Sequence, residues 1–225
     1  MKGEWIVRNG GADLLLFFNG WGMDRHVADW VQSTNPLPPG HDLVMLYDYG
    51  DLALPSWLDG AMAGYDHVDL VAWSLGVWAA MHSGLERIRR AVAINGTSTP
   101  IDMQRGIAPE VFRATLQTWS PPTRGRFENR MFIGMDRDPR LDLVRTHRST
   151  ISQQLELRSI SGNVKRLAAA PPPPWRYAKV IVGSRDMIFL PWNQKAAWEG
   201  YEVAMFDGMP HFPFFHLDGW PEVLA

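Results

Sequence analysis

The sequence of 225 residues contains no cysteine. This absence excludes disulfide bonds, thiolate metal ligands and a cysteine nucleophile, and it fits a reducing compartment such as the cytoplasm. No stretch approaches the ~20 consecutive apolar residues that a membrane-spanning helix needs, so we expect no membrane association. The first eight residues lack the apolar core of a secretory signal, so we also expect no signal peptide and a cytoplasmic protein.

Neither sign of charge is in large excess, because the net charge is -2. We therefore expect no general attraction to nucleic acid. The distribution is uneven, however, since residues 98–170 hold 12 Lys and Arg against 7 Asp and Glu, a net charge of +5, and the remainder carries -7. The length and the 46% content of hydrophobic residues are typical of one ordinary domain. The shift in charge marks residues 98–170 as an insertion in it.

Apolar runs alternate along the chain with segments of helical spacing. Residues 14–18 form a continuous apolar run without alternation, which is typical of a strand buried on both faces of a parallel sheet. The predicted strands are residues 14–18, 43–46, 68–72, 91–94, 180–182 and 202–206. The pattern predicts a doubly wound, mostly parallel α/β sheet of about six strands, formed by residues 1–97 and 171–225. Residues 98–170 are predicted to be a helical, Arg-rich cap insertion.

Glycine-rich or polar residues follow four of these predicted strands. They are Asn19-Gly20-Trp21-Gly22, Ser74, Asp186 and His211. Because the carboxyl ends of parallel strands meet at one edge of a sheet, where ligands bind, we expect these residues to lie close together.

Ser74 lies between two small residues, Ala72 and Gly76, at the point where a buried strand gives way to a helical pattern. This is the layout of a nucleophile elbow, a sharp turn that lifts a serine hydroxyl above the sheet. The alternative is a serine that caps the helix and has no chemical role.

A serine hydroxyl needs an adjacent base, and the base needs a carboxylate that orients it. His211 and Asp186 are the candidates, and the order Ser, Asp, His along the chain is that of α/β-hydrolases. The backbone N–H groups of Leu75 and Trp21 are candidate donors to the developing oxyanion.

Other residues compete for these roles. His216 is an alternative base, and Asp207 and Asp48 are alternative acids. The histidines and carboxylates of this sequence do not have the spacing of a metal site, and no phosphate-binding loop is present. We therefore predict neither a metal nor a cofactor.

Four segments of the sequence resemble a known family. They are Leu16-Phe17-Phe18-Asn19-Gly20-Trp21-Gly22-Met23-Asp24, Ala72-Trp73-Ser74-Leu75-Gly76-Val77-Trp78, Ala93-Ile94-Asn95-Gly96-Thr97 and Pro210-His211-Phe212-Pro213. Over nearly its whole length the chain resembles α/β-hydrolases, and more narrowly the BioG-type pimeloyl-ACP methyl ester carboxylesterases of biotin synthesis, where ACP is acyl carrier protein. The resemblance implies hydrolysis of that methyl ester by a serine esterase. It assigns the roles of nucleophile, acid and base to Ser74, Asp186 and His211, and the oxyanion donors to Trp21 and Leu75.

The resemblance also implies ACP as a transient partner. Because these carriers are strongly acidic, a positive cap would steer and orient them. The candidate docking residues are Arg124, Arg126, Arg130, Arg137, Arg140, Arg145 and Arg148. For any single arginine, the alternative is a solvated helix face paired with carboxylates such as Asp138 and Asp142.

Aromatic residues next to the proposed site, namely Trp21, Trp73 and Phe214, are candidates for an apolar acyl channel. Two other functions remain open at this point. One is a thioesterase or general esterase for small acyl substrates that uses the same three residues, and the other is a non-catalytic binding protein of the same fold.

Overall fold

A single mixed sheet forms the centre of the computed structural model, which describes residues 1–135 and 137–225. The strands in this part of the chain are β1 Lys2–Val7, β2 Asp13–Phe18, β3 His41–Tyr47, β4 His67–Trp73, β5 Arg90–Ile94, β6 Lys179–Gly183 and β7 Val203–Phe206. Their order across the sheet is β1-β3-β2-β4-β5-β6-β7. β1 pairs antiparallel with β3, and the other pairings described are parallel. The predicted mostly parallel α/β sheet is confirmed.

Helices cover both faces of this sheet. In the described residues they are α1 His26–Thr34, α2 Leu58–Met62, α3 Leu75–Met81, α4 Pro109–Thr118, α5 Pro121–Met131, α6 Leu141–Val144, α7 Thr150–Arg166, α8 Pro191–Ala197 and α9 Gly219–Leu224. Helices α4 to α7 lie between β5 and β6, the part of the chain where we predict an insertion. Within residues 1–135 and 137–225, no helix has the length and apolar character that crossing a bilayer requires.

Strand β2 is the buried centre of the fold, because its side chains pack into two hydrophobic cores, one on each face of the sheet. Leu14, Leu16 and Phe18 pack into a cluster with α3 and with residues of α4 and α7. Leu15 and Phe17, which point to the opposite face, pack into a second cluster with α1, α6 and α9. Successive strand residues point to opposite faces, so an uninterrupted apolar run is what a strand covered on both sides requires.

The predicted number of strands was too low by one, because the sequence analysis missed β1. This strand pairs on one side alone, with β3, and its residues are mostly half-buried. Its first three residues, Lys2, Gly3 and Glu4, are not apolar and only three apolar residues follow them, so neither a buried run nor a clean alternation marks it. Pairing with the neighbouring strand, rather than an apolar pattern of its own residues, determines the position of such an edge strand.

The order of the strands reverses at β2. The chain passes from β2 to β3 on one side and then crosses back to β4 on the other side. The crevice at such a reversal, beyond the carboxyl ends of the strands, is the usual ligand site of an open α/β sheet. The loop after β2 contains Trp21, and the residue after β4 is Ser74, so both lie at this crevice.

Gly76 and Gly60 differ in how closely other atoms pack against their Cα atoms. A Cβ atom on Gly76, in the first turn of α3, would lie 2.5 Å from the carbonyl oxygen of Phe18. A Cβ atom on Gly60, in α2, would meet nothing within 4 Å.

We expect Gly76→Ala to lower the free energy of unfolding by about 1–3 kcal/mol, because backbone must move to admit the methyl group. The matched control Gly60→Ala should raise it by about 0.5–1 kcal/mol, because alanine favours the helix. Urea unfolding of both variants checks this, and equal effects would contradict it.

Candidate active site

Ser74 lies on a strained turn between β4, which ends at Trp73, and α3, which begins at Leu75. Its φ is 59° and its ψ is -130°, a conformation that non-glycine residues rarely adopt. The turn has no room for larger neighbours, because a Cβ atom on Gly96 would lie 2.2 Å from the carbonyl oxygen of Ser74. Strain of this kind is typical of functional sites and persists because the surrounding packing enforces it.

Ser74, His211 and Asp186 form a continuous hydrogen-bonded chain. His211 Nε2 lies 2.9 Å from Ser74 Oγ, and His211 Nδ1 lies 2.9 Å from Asp186 Oδ2. Because a carboxylate accepts hydrogen bonds and does not donate them, Nδ1 is the donor and Nε2 is left to accept the serine proton. Asp186 and His211 are each 1% exposed, so water does not compete for these bonds.

Asp186 is held in place by four donors. Its Oδ1 accepts from the backbone N–H groups of Ile188 (2.8 Å) and Phe189 (2.9 Å). Its Oδ2 accepts from Gln194 Nε2 at 3.0 Å, in addition to His211. The carboxylate therefore cannot rotate without losing several bonds, and its orientation fixes that of the imidazole ring.

Asn95 supports the loop of His211, a role that was not predicted from the sequence. The Nδ2 atom of Asn95 donates to the carbonyl oxygens of Pro210 (2.9 Å) and His211 (3.0 Å). Its Oδ1 accepts from Gly183 N at 2.8 Å, and Trp73 Nε1 also donates to the His211 carbonyl at 2.9 Å. Asn95 is fully buried with φ at 46°, a conformation that asparagine tolerates better than most residues. An asparagine directly after a buried strand was the available signal.

The amides of Trp21 and Leu75 are free to bind a ligand. Neither N–H donates to an acceptor among residues 1–135 and 137–225, and both residues line the same pocket as Ser74. Leu75 is the first residue of α3, where the N–H has no partner within the helix. Two amides in residues that line the same pocket as a serine suit an oxyanion, which is the role that we predict for them.

The competing residues lie elsewhere. Asp207 bonds to Ser184 Oγ at 3.1 Å, and Asp48 pairs with Lys2 at 2.8 Å. His216 lines a different, open depression together with Arg137 and Arg140. The structure thus brings Asp186 and His211, and none of these three alternatives, to Ser74.

The pocket in front of Ser74 is mainly apolar. Trp21, Trp73, Phe112, Phe127 and Leu157 are among its walls, and Arg130 is the charged residue of its lining. The interpretation of Phe214 as a channel residue was wrong. Its ring packs edge-on against Phe17 at 5.5 Å, within the core on the other face of the sheet.

The arginines of the insertion differ in what they contact. Arg124, Arg140 and Arg145 pair with Glu128, Asp138 and Asp142, respectively. Arg126 and Arg137 are exposed, and the structure gives neither of them an ion pair with a described residue. Arg130 lines the pocket, and its partial burial there lowers the pKa of its guanidinium.

Arg148 does not face solvent as a docking residue would. Its side chain is 8% exposed and forms ion pairs with Glu156 at 2.7 Å and with Asp48 at 3.2 Å. A buried guanidinium that already has two carboxylate partners is not available to a partner protein. We therefore leave Arg148 out of the docking set.

Comparison with known proteins agrees with this geometry. The sheet, the elbow turn and the residues at the strand ends define an α/β-hydrolase, and an enol-lactonase from Burkholderia xenovorans shares the fold (TM-score 0.63, 16% identity, 91% of this chain and 87% of that one). The chain belongs to the BioG family, since the family described as pimeloyl-ACP methyl esterase BioG matches residues 1–223. The crystal structure of BioG from Haemophilus influenzae superposes with a TM-score of 0.87 and 32% identity over 100% of both chains. The protein is accordingly a hydrolase.

A Bacteroides fragilis relative differs in length. It is a malonyl-[acyl-carrier protein] O-methyltransferase, 36% identical over 202 residues. The match covers 87% of this chain and 39% of that protein, so the chain spans about two fifths of the length of this relative.

The bonds of Asp186 lead to a prediction that separates it from Asp207. In Asp186→Asn the new NH₂ group faces N–H groups that donated to the carboxylate, so it has no acceptor among them. Either His211 takes the other tautomer in order to accept from the NH₂ group, or the loop of residue 186 shifts. We expect esterase kcat to fall about 10²–10⁴-fold, by analogy with the same change in serine proteases. Asp207→Asn, the matched control in a neighbouring loop, should retain wild-type kcat. The reverse outcome in steady-state assays would make Asp207 the acid.

Proposed function

We propose that this chain is a serine carboxylesterase that hydrolyses the methyl ester of pimeloyl-ACP. The observation that carries the proposal is the pair of 2.9 Å contacts from Ser74 Oγ through His211 to Asp186. A serine hydroxyl bonded to an imidazole that is itself held by a carboxylate is the arrangement in which the base removes the proton as the oxygen attacks.

The first half of the reaction forms an acyl-enzyme. Ser74 Oγ attacks the ester carbonyl carbon, and His211 Nε2 takes the hydroxyl proton. The carbonyl oxygen becomes an oxyanion that accepts from the N–H groups of Trp21 and Leu75, each worth about 2.7–4 kcal/mol in comparable sites. The bond between the carbonyl carbon and the methoxy oxygen then breaks, His211 returns the proton, and methanol leaves.

The second half of the reaction regenerates the enzyme. A water molecule attacks the acyl carbon while His211 again accepts a proton, and a second oxyanion forms at the same amides. The bond between the acyl carbon and Ser74 Oγ then breaks, and Ser74 Oγ takes the proton from His211. The carboxylic acid that is released loses its own proton to water. Asp186 stabilises the imidazolium in both halves but does not itself become protonated.

Two observations support a carrier-linked aliphatic ester as the substrate. The apolar walls of the pocket suit a methylene chain with no charge near its reactive end. The relative from Bacteroides fragilis is a methyltransferase that acts on malonyl-ACP, and a carboxylate on an ACP-bound chain is what such an enzyme esterifies. An esterase for an ACP-bound methyl ester reverses that modification.

The rim of the pocket offers the proposed carrier a positive surface. Arg130 lines the pocket, and Arg126 is exposed one helical turn earlier on the same helix, α5. Residues four apart are neighbours on the surface of a helix, so Arg126 extends the positive surface of α5 beyond Arg130. We propose that Arg126, Arg130 and Arg137 contribute most to docking. Arg124, Arg140 and Arg145 contribute less, because adjacent carboxylates offset their charge.

Hydrolysis of pimeloyl-ACP methyl ester and of a short p-nitrophenyl ester tests the function. We expect wild type to cleave both and Ser74→Ala to cleave neither, because the attacking oxygen is gone. Cleavage of the small ester alone would retain the serine esterase and reject the carrier-bound substrate. A wild-type protein whose Ser74 fails to react with a fluorophosphonate would contradict the enzyme and favour a binding protein.

Charge reversal at the rim tests the docking surface. We expect Arg126→Glu to raise KM for the carrier-bound ester about tenfold at low salt, because the acidic carrier is repelled, and the effect should shrink as salt rises. Arg87→Glu, a control at an exposed arginine before β5 and so at the opposite edge of the sheet, should leave KM nearly unchanged. Neither variant should alter the p-nitrophenyl ester kinetics. A KM that is equal in wild type and Arg126→Glu would remove Arg126 from the interface.

A further inference from the structure

Helix α7, in the inserted segment, is bonded directly to the loop that contains Trp21. The indole Nε1 of Trp21 donates to the backbone carbonyl of Gln153 at 2.8 Å. The side-chain Nε2 of Gln153 donates in turn to the carbonyl of Gly22 at 3.0 Å. The remaining oxygen of the Gln153 amide accepts from Trp119 Nε1 at 3.3 Å, so the amide is engaged at both ends.

Glu156, one turn further along α7, bonds to the same loop. Its Oε2 accepts from Gly22 N at 3.3 Å, and its Oε1 accepts from the N–H of Tyr49 at 2.9 Å. The carboxylate has no solvent exposure, and Arg148 pairs with it at 2.7 Å. Burial raises the pKa of Glu156, whereas the charge of Arg148 and the Tyr49 N–H oppose that rise. One buried carboxylate thus joins α7 to the loops after both β2 and β3.

These bonds add to those within the loop itself, where Asn19 Oδ1 accepts from Gly20 N at 2.9 Å and the Gly20 carbonyl accepts from Met23 N at 3.2 Å. Trp21 lies between two glycines, and Gly22 has φ at +73°, so the backbone here is intrinsically permissive. An oxyanion donor is effective when it is fixed before the reaction, because no reorganisation is then needed in the transition state. Bonds from α7 to the Trp21 indole and to both the N–H and the C=O of Gly22 restrain Trp21 and Gly22, the two residues that follow the peptide group carrying the Trp21 N–H.

We infer that Gln153 and Glu156 are positioning residues for the Trp21 amide, and that α7 is therefore part of the catalytic framework rather than a cover over it. The inference rests on the proposed function, because it needs Trp21 N–H to bind the oxyanion. Neither residue contacts the reacting atoms, and each acts through the loop.

Gln153→Met tests the inference, since it keeps the length of the side chain and removes the bond to Gly22 O, together with the longer bond from Trp119 Nε1. We expect kcat for the p-nitrophenyl ester to fall about tenfold to a hundredfold with KM within twofold, because the oxyanion and not the bound ester loses its donor. Gln154→Met is the matched control. Gln154 is on the same helix and donates a 2.9 Å bond to Leu116 O, away from the Trp21 loop. This variant should retain wild-type kcat.

A purely structural role is distinguished by two further measurements. Fluorophosphonate titration of Ser74 gives the fraction of competent enzyme to which each kcat is normalised. The affinity of a trifluoromethyl ketone, which forms a tetrahedral oxyanion adduct with Ser74, should weaken in parallel with kcat. Should Gln153→Met fail to fold, Trp21→Phe breaks the contact from the loop side. In Trp21→Phe the wall of the pocket changes as well, which alters KM. The ratio of the inhibition constant to KM therefore reports the loss of oxyanion binding separately from the change in the wall.

Each outcome then has one meaning. A loss of normalised kcat and of inhibitor affinity in Gln153→Met, but not in Gln154→Met, supports the inference. Unchanged normalised kcat, or a rise in KM alone, overturns it and leaves the serine esterase intact. A wild-type enzyme without Ser74-dependent hydrolysis instead refutes the proposed function itself.

Discussion

The close approach of three backbone segments around Ser74 is the constraint on which the rest of the structure depends. Helix α3 starts against the end of β2, where Gly76 leaves no space for a side chain, and Gly96 packs in the same way against the carbonyl of Ser74. This packing holds Ser74 in a conformation that it would not adopt alone. It also places the N–H of Leu75 and the loop of Trp21 on the same side of the sheet. The buried strands supply the rigidity, and the site is built on their ends.

The apolar pocket has a consequence for the proposed reaction that goes beyond substrate fit. A methyl ester is uncharged and enters such a pocket readily, whereas the product of hydrolysis is a carboxylate. Burying an unpaired charge among Trp21, Phe112 and Phe127 is costly, so the product is favoured in water over the pocket. The same lining that accepts the ester therefore disfavours rebinding of the acid.

The sequence predicted those parts of the molecule that depend on local pattern. Buried strands appear as apolar runs, and the rule that strand ends share an edge was enough to select Ser74, Asp186 and His211 from many polar residues. It did not predict β1, whose pairing with β3 comes from the neighbour and not from its own residues. It also missed the bonds of Gln153 and Glu156, because they join positions more than a hundred residues apart. The ion pairs of Arg148 with Glu156, eight residues further along the chain, and with Asp48 were not visible in the sequence either, so Arg148 was included among the docking residues.

The attachment of α7 to the loop after β2 bears on how this scaffold can be altered by protein engineering. Exchanging residues 98–170 as one cassette between relatives would remove Gln153, Glu156 and Arg148 together with the rim, and would leave Asp48 without its ion pair to Arg148. A graft limited to α4 and α5 keeps these bonds, while it replaces Phe112, Phe127 and Arg130 in the pocket wall. Residues 98–170 thus combine two parts, the pocket wall at α4 and α5, which can be exchanged, and the supporting helix α7, which is bonded to the loop of Trp21.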